Sequence, residues 1–330
     1  MSETPKPSVS YNDSLKMVHN PDGSVTRLTL FPITSASPNP DQYTTHTSPF
    51  LSKDITINTQ KNIWVRVFLP RQALENNATT SKLPLIVYFH GGGFITCSAN
   101  TSVFHDLCAG MATDLSAVVV SLEYRLAPEY RLPAAYDDAE EALHWIKSTD
   151  EPWVMKYADT SCCFLMGSSA GGNMAYFAGV RVAGAVEEFK PLRIKGLIMH
   201  HPFFGGMKRS GSEVRSENDT ILSLSATDLM WELALPEGAD RDHEYSNPMV
   251  GKGAEQCEKI GRLGWKVLVT GCDGDLLLDR QKEWVEMAKK KGVAVDSSFV
   301  EGGFHVIELV DASKAKAMFR LINKFMLSSA

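Results

Sequence analysis

Two serines stand side by side between glycines in Gly167-Ser168-Ser169-Ala170-Gly171. Centred on Ser169 the run is G-x-S-x-G, the spacing that exposes a nucleophilic hydroxyl on a sharp turn between a strand and a helix. Such a turn strains the serine backbone, and small residues two before and two after relieve the crowding. The preceding CCFLM reads as a buried strand and the following GGNMAYFAGVRVAG as a helix, so the motif has the flanks it needs. A helix starting at the serine also aims N–H groups and a positive dipole end at nearby negative charge. By themselves the same letters also fit a plain small-residue turn. Ser168 has the wrong offset from both glycines to be the nucleophile.

A second element lies upstream, where His90-Gly91-Gly92-Gly93 follows the apolar run LPLIVYF. Three glycines let backbone N–H groups approach a ligand oxygen. In acyl transfer that oxygen turns negative, and donors fixed there in advance are worth about 3–4 kcal/mol each. A serine nucleophile also needs a base, and the base an orienting acid. In this type of sheet the chain order is serine, acid, histidine. His305, in FVEGGFHVIEL, comes last, after a strand and a Gly-Gly turn. His200 and His201 end a strand and read as residues that shape or support the site, while His243 lies in a polar loop and reads as a surface residue. For the acid, KVLVTGCDGDLLLDRQ offers Asp273, Asp275 and Asp279 near the carboxyl end of a strand, where ligands bind in such sheets. Spacing leaves the choice open, although a loop acid is better placed than Asp279 in the following helix.

These residues need a scaffold that brings distant loops together. The apolar runs AVVVSLEY, CCFLMG, KGLIMHH, KVLVTG and VDSSFVEG alternate with helix-like stretches over 102–115, 135–147, 172–186, 277–291 and 312–326. That alternation predicts an α/β fold with a mostly parallel sheet flanked by helices. DITINTQKNIWVRVFLP predicts two strands joined by a tight turn at Gln60-Lys61-Asn62, forming an antiparallel edge. The first fifty residues are rich in Ser, Thr, Pro and Asn and read as an irregular arm, with a short helix over 11–17. Residues 203–240 break the rhythm with a polar loop and the helix candidate TDLMWELAL, which suggests a lid over a site.

The bulk properties narrow the class. A chain of 330 residues with 44% hydrophobic residues has material for one sizeable core. The net charge of -6 argues against a nucleic-acid partner. No apolar run reaches the roughly 18 residues that span a bilayer. The polar start MSETPKPSVSYNDSLK has no signal-peptide core, so a soluble cytoplasmic protein is expected. The six cysteines form no C-x-x-C pair and read as buried reduced thiols rather than disulfides or a zinc site.

HGGGF, GSSAGGN and VSLEYRLAPEYRLPAAYDDAEEALHWI together resemble the hormone-sensitive-lipase-like group of α/β-hydrolases. NPDGSVTR and NTQKNIWVRVFLP are similar to the plant carboxylesterases within that group. The resemblance implies a single α/β-hydrolase domain with a helical cap built from about 1–45 and about 203–240. It implies the nucleophile at Ser169, the base at His305, and oxyanion donors at the N–H groups of Gly92, Gly93 and Ala170. The acid opens a D-x-x-x-D pattern, which selects Asp275; this chain has Leu276 where the family usually has proline. His90 would hold the glycine loop, and Glu123, Arg125 and Asp138 would tie loops beneath the site. Met230, Trp231 and Leu235 would either line a pocket or pack the cap helix. The implied activity is hydrolysis of small, short-acyl carboxylic esters, without metal or organic cofactor, with organophosphates as covalent inhibitors. Two rivals follow from the same resemblance: gibberellin receptors, which lack the catalytic histidine, and a dehydratase acting on hydroxyisoflavanones.

Overall fold

The computed structural model of the chain describes residues 10–12, 17–20, 25–28, 31–39, 48–75 and 82–329. Its strands in chain order are β1 Ser10–Asn12, β2 Met17–His19, β3 Val25–Arg27, β4 Phe50–Asn58, β5 Ile63–Pro70, β6 Leu83–Phe89, β7 Val118–Glu123, β8 Ala158–Ser168, β9 Ile194–His200, β10 Lys266–Cys272 and β11 Ala294–Val300. The helices are α1 Gln72–Glu75, α2 Ser102–Asp114, α3 Ala134–Ser148, α4 Pro152–Tyr157, α5 Ala170–Gly184, α6 Gly211–Arg215, α7 Leu224–Ala234, α8 Gly251–Arg262, α9 Leu278–Lys290 and α10 Ala312–Ser329. Among the described residues, eight strands form one sheet in the order β11-β10-β9-β8-β6-β7-β5-β4. β4 and β5 pair antiparallel, and β5 pairs antiparallel to β7; the remaining pairs are parallel.

The period of two along each strand divides the core into two layers. On β6, Leu85, Val87 and Phe89 join the layer packed by α3, α5, α8 and α9. Ile86 and Tyr88 face the opposite layer, which α2 and α10 cover with Phe104, Leu107, Met318 and Ile322. Because both faces are covered, the central strand β6 reads as a nearly continuous apolar run, whereas the edge strand β11 is largely exposed.

The predicted sheet and its flanking helices are present. Three readings differ from the structure. The helix expected over 11–17 is absent from the described part of that range: Tyr11, Asn12 and Met17 lie in β1 and β2 of a small antiparallel meander. Cross-strand pairing there outweighs a weak local helix signal. α8 was not anticipated, because three glycines and a run of charges mask it. Its signal was present as Gly253, Cys257 and Ile260, buried at helical spacing on one face. His243 is half-buried rather than on the surface and its ring lies 4.6 Å from that of Tyr245. All six cysteines are free, four of them buried. No helix among the described residues is long and apolar enough to cross a membrane.

Candidate active site

Five loops leave the carboxyl ends of neighbouring parallel strands and converge, as the topology of open α/β sheets requires. They follow β6 (Gly91 to Gly93), β8 (Ser169), β9 (His201), β10 (Asp275) and β11 (His305).

Ser169 sits at the strand-to-helix turn with φ 58° and ψ -119°, a conformation that non-glycine residues rarely adopt. The turn is held from both sides. The Ser169 N–H donates to His200 O at 2.9 Å, and the Ser169 carbonyl accepts from Gly172, Asn173 and Phe203 N–H groups. The second glycine of the motif has a steric cause: a Cβ on Gly171 would stand 1.9 Å from Phe89 O. Ser168 points the other way, and its hydroxyl accepts from Tyr88 Oη at 2.9 Å in the core.

The Ser169 hydroxyl lies 2.9 Å from His305 Nε2, and His305 Nδ1 lies 2.9 Å from Asp275 Oδ2. A carboxylate only accepts, so Nδ1 carries the proton and the bare Nε2 accepts from the serine. That is the tautomer a general base needs. Asp275 is fully buried, and its oxygens also accept from His201 Nδ1 at 2.7 Å, Gln281 Nε2 at 2.9 Å and Leu277 N at 2.9 Å. Burial opposes its charge, but the contacts with His305 and His201 hold the carboxyl well below the usual carboxylate range. The other two aspartates are engaged elsewhere. Asp273 accepts from Gly302 N, and Asp279 from Ser212 N, each at 2.7 Å.

The glycine loop folds back on itself, with Gly92 O accepting from Ile95 and Thr96 N–H groups. Gly92 has φ +115°, and a Cβ there would lie 2.2 Å from Thr96 O, so only glycine fits. Gly92, Gly93 and Ser169 line one cavity of about 320 Å³. Ala170 opens α5, and its N–H is among the first four that have no intrahelical acceptor. His90 supports the loop from below. Its Nδ1 donates to Gly91 O at 2.7 Å and its ring stacks on Tyr124 at 4.2 Å. Burial pushes the His90 imidazole down to about 4, so it is neutral at physiological pH. Glu123 accepts from Ser98 Oγ and Ala99 N, and Arg125 forks onto Asp138.

The cavity walls come from both flanking segments. Phe31 belongs to the arm, which a bridge from Ile33 to Thr101 fixes to the main body. Ile221, Leu222, Ala226 and Met230 come from the 203–240 segment. Met230 packs against Gly93. Trp231 and Leu235 are buried away from the cavity, and Trp231 stacks on Phe203 at 4.4 Å. The expected contribution of residues 1–45 falls largely outside the described residues. His200, His201 and Glu308, and likewise His201, Asp275 and His305, bring metal-ligand-type atoms within 4.8 Å of one another. The histidine Nδ1 atoms are already engaged with oxygen atoms of Thr270 or Asp275, and we read both groups as an ion-pair network.

The model of the family described by an α/β-hydrolase fold matches residues 86–309, which contain all of these loops. The chain belongs to this family. Within it the chain is similar to Carboxylesterase 20 of Arabidopsis thaliana, 51% identical over 99% of both chains. It is also similar to 3-O-acetylpapaveroxine carboxylesterase CXE2 of Papaver somniferum, 43% identical over 83% of this chain and 90% of the relative. Among solved structures, an esterase of Pyrobaculum calidifontis matches 84% of this chain and 86% of its own, at 25% identity and a TM-score of 0.68. The family's plant carboxylesterases are thus this chain's kin, as the sequence resemblance implied.

Sequence reading had left three positions without a specific role. His201 touches Asp275 directly, Gln281 secures the same oxygen, and Glu308 closes on both histidines. The signal for the first was the His-His pair ending a strand. Gln281 and Glu308 carried none: Gln281 lies six residues from Asp275 with no motif to mark it, and the histidines that meet Glu308 are far from it in the chain.

Proposed function

We propose that this carboxylic ester hydrolase cleaves small, short-acyl esters in two steps through a Ser–His–Asp triad. The reading rests on the unbroken hydrogen-bond chain from Ser169 through His305 to Asp275, opening on a cavity with apolar walls. His305 Nε2 takes the hydroxyl proton as Ser169 Oγ bonds to the ester carbonyl carbon. The carbonyl electron pair moves to oxygen, where the N–H groups of Gly92, Gly93 and Ala170 hold it. Collapse of this intermediate breaks the C–O bond, and the alcohol leaves with the proton from His305. Water, deprotonated by the same nitrogen, then releases the acid from the acyl-enzyme. Asp275 keeps the ring in register and stabilises its charged form.

The short-acyl preference is supported by the modest cavity and by the acetyl ester in the name of the poppy relative. The arm and the 203–240 segment act as a cap, supplying the outer walls. An intact base within reach of the serine favours turnover over a purely receptor-like role.

The test is hydrolysis of p-nitrophenyl acetate and butyrate. Wild type and Ser168→Ala turn over, Ser169→Ala does not, and paraoxon adds to Ser169 by peptide mass spectrometry. A wild type without turnover that binds a gibberellin, or an adduct on another residue, defeats the assignment.

A further inference from the structure

Behind the triad lies a buried row of ionisable groups that the two-step reaction does not use. His201 is fully buried, and its Nδ1 lies 2.7 Å from Asp275 Oδ2, the same oxygen that meets His305. Its Nε2 lies 3.6 Å from Glu308 Oε2, and His200 Nε2 lies 3.2 Å from that oxygen. The backbone around it is tied to the nucleophile, since His200 O accepts from Ser169 N–H and His201 N–H donates to Thr270 O.

The geometry restricts the protons on His201. Asp275 offers only acceptors, so Nδ1 must carry a proton. A neutral ring would then turn the lone pair of Nε2 on a second carboxylate. The doubly protonated ring instead gives each carboxylate an N–H and a positive charge. Nε2 of both histidines and Oε2 of Glu308 make no well-formed hydrogen bond, so their meeting is one of charge. Burial opposes the charge on His201, but its contacts with Asp275 and Glu308 outweigh it and lift the imidazole to about 9.

We propose that His201 is a positioning residue that acts through Asp275, carrying a positive charge that Glu308 balances and so setting the pH range in which His305 works as a base. This rests on the triad reading above. The groups facing His201 are Asp275, Glu308, His200 and His305, and the Cys272 thiol feels the charges of the same two carboxylates. Burial pushes His200 down and Cys272 up to about 12, which leaves both neutral at physiological pH. The fixed charges behind His305 are therefore two carboxylates and one imidazolium. Removing the imidazolium leaves both carboxylates to favour a charged His305. Removing the Glu308 charge leaves the imidazolium to cancel Asp275.

The experiment compares kcat/KM against pH for p-nitrophenyl acetate in four proteins: wild type, His201→Asn, Glu308→Gln and the double variant. Asparagine retains a donor toward Asp275 and tolerates the left-handed backbone at this position, where φ is 46°. The expected result is an acid limb about one unit higher in His201→Asn and about one unit lower in Glu308→Gln. The double variant returns to within a few tenths of wild type. A purely structural role would lower activity without moving the limbs in opposite directions. If His201→Asn does not fold, an unmoved limb in Glu308→Gln alone overturns the proposal, as do limbs that move the same way. A wild type with no turnover would instead refute the triad reading.

Discussion

Substituting Asp275 by Asn separates three aspartates that lie within seven residues of one another. In the native site Oδ2 accepts from His305, His201 and Gln281, and Oδ1 from Leu277 N–H. An amide cannot satisfy this set. With its nitrogen in the Oδ2 position it meets three donors; turned over, it meets the Leu277 N–H. In both orientations the imidazolium that forms on His305 no longer faces an anion 2.9 Å away. At an effective dielectric near 20, two unit charges at that distance attract by about 6 kcal/mol, or about four decades of rate. The expected loss in kcat for Asp275→Asn is therefore about 10⁴-fold, with KM little changed, as for an interaction made only in the transition state. Asp273→Asn and Asp279→Asn each weaken one hydrogen bond to a backbone N–H, worth about 1 kcal/mol of stability, and retain kcat within about tenfold. The assay is steady-state hydrolysis of p-nitrophenyl acetate by variants whose fold is checked by circular dichroism. More than about 1% of wild-type kcat in folded Asp275→Asn, or a larger loss in Asp279→Asn, would refute the assignment of the acid.

Two further outcomes are expected. His201, lifted to about 9 in the fold from the usual 6.5 or so, adds stability that is complete below pH 6.5 and is lost as pH rises through 9. Urea unfolding at pH 6.5 and 9.5 should therefore show wild type losing about 3 kcal/mol more than His201→Asn; equal losses would mean an uncharged ring. Met230 forms a wall of the cavity beside Gly93, so Met230→Ala should raise kcat/KM for p-nitrophenyl hexanoate relative to acetate by about tenfold. An unchanged ratio in a folded variant would remove Met230 from the acyl wall.

The fold was legible because covered strands and amphipathic helices leave different periods in the chain. The runs at β6 to β10 have apolar centres, and helices such as α3 and α9 bury one face. Ser169 was legible for a local reason: the turn that exposes it needs Gly171, whose missing side chain makes room for Phe89 O. The glycines after His90 were legible in the same way. Weak local signals failed, as at Tyr11 and Met17, where pairing between short strands decided the conformation. α8 was hidden because burial of its narrow Gly253–Cys257–Ile260 stripe, not propensity, makes it a helix. Sequence spacing left Asp273, Asp275 and Asp279 open, and only a family pattern chose among them. In the structure the loop after β10 turns Asp275 inward toward His305 and commits its two neighbours to backbone N–H groups. The same holds for His201 and Glu308, which are 107 residues apart yet bring Nε2 and Oε2 within 3.6 Å of each other. Contacts of that kind depend on how distant loops at one sheet edge face one another. Local pattern can state that such loops exist, but only packing fixes which of their side chains meet.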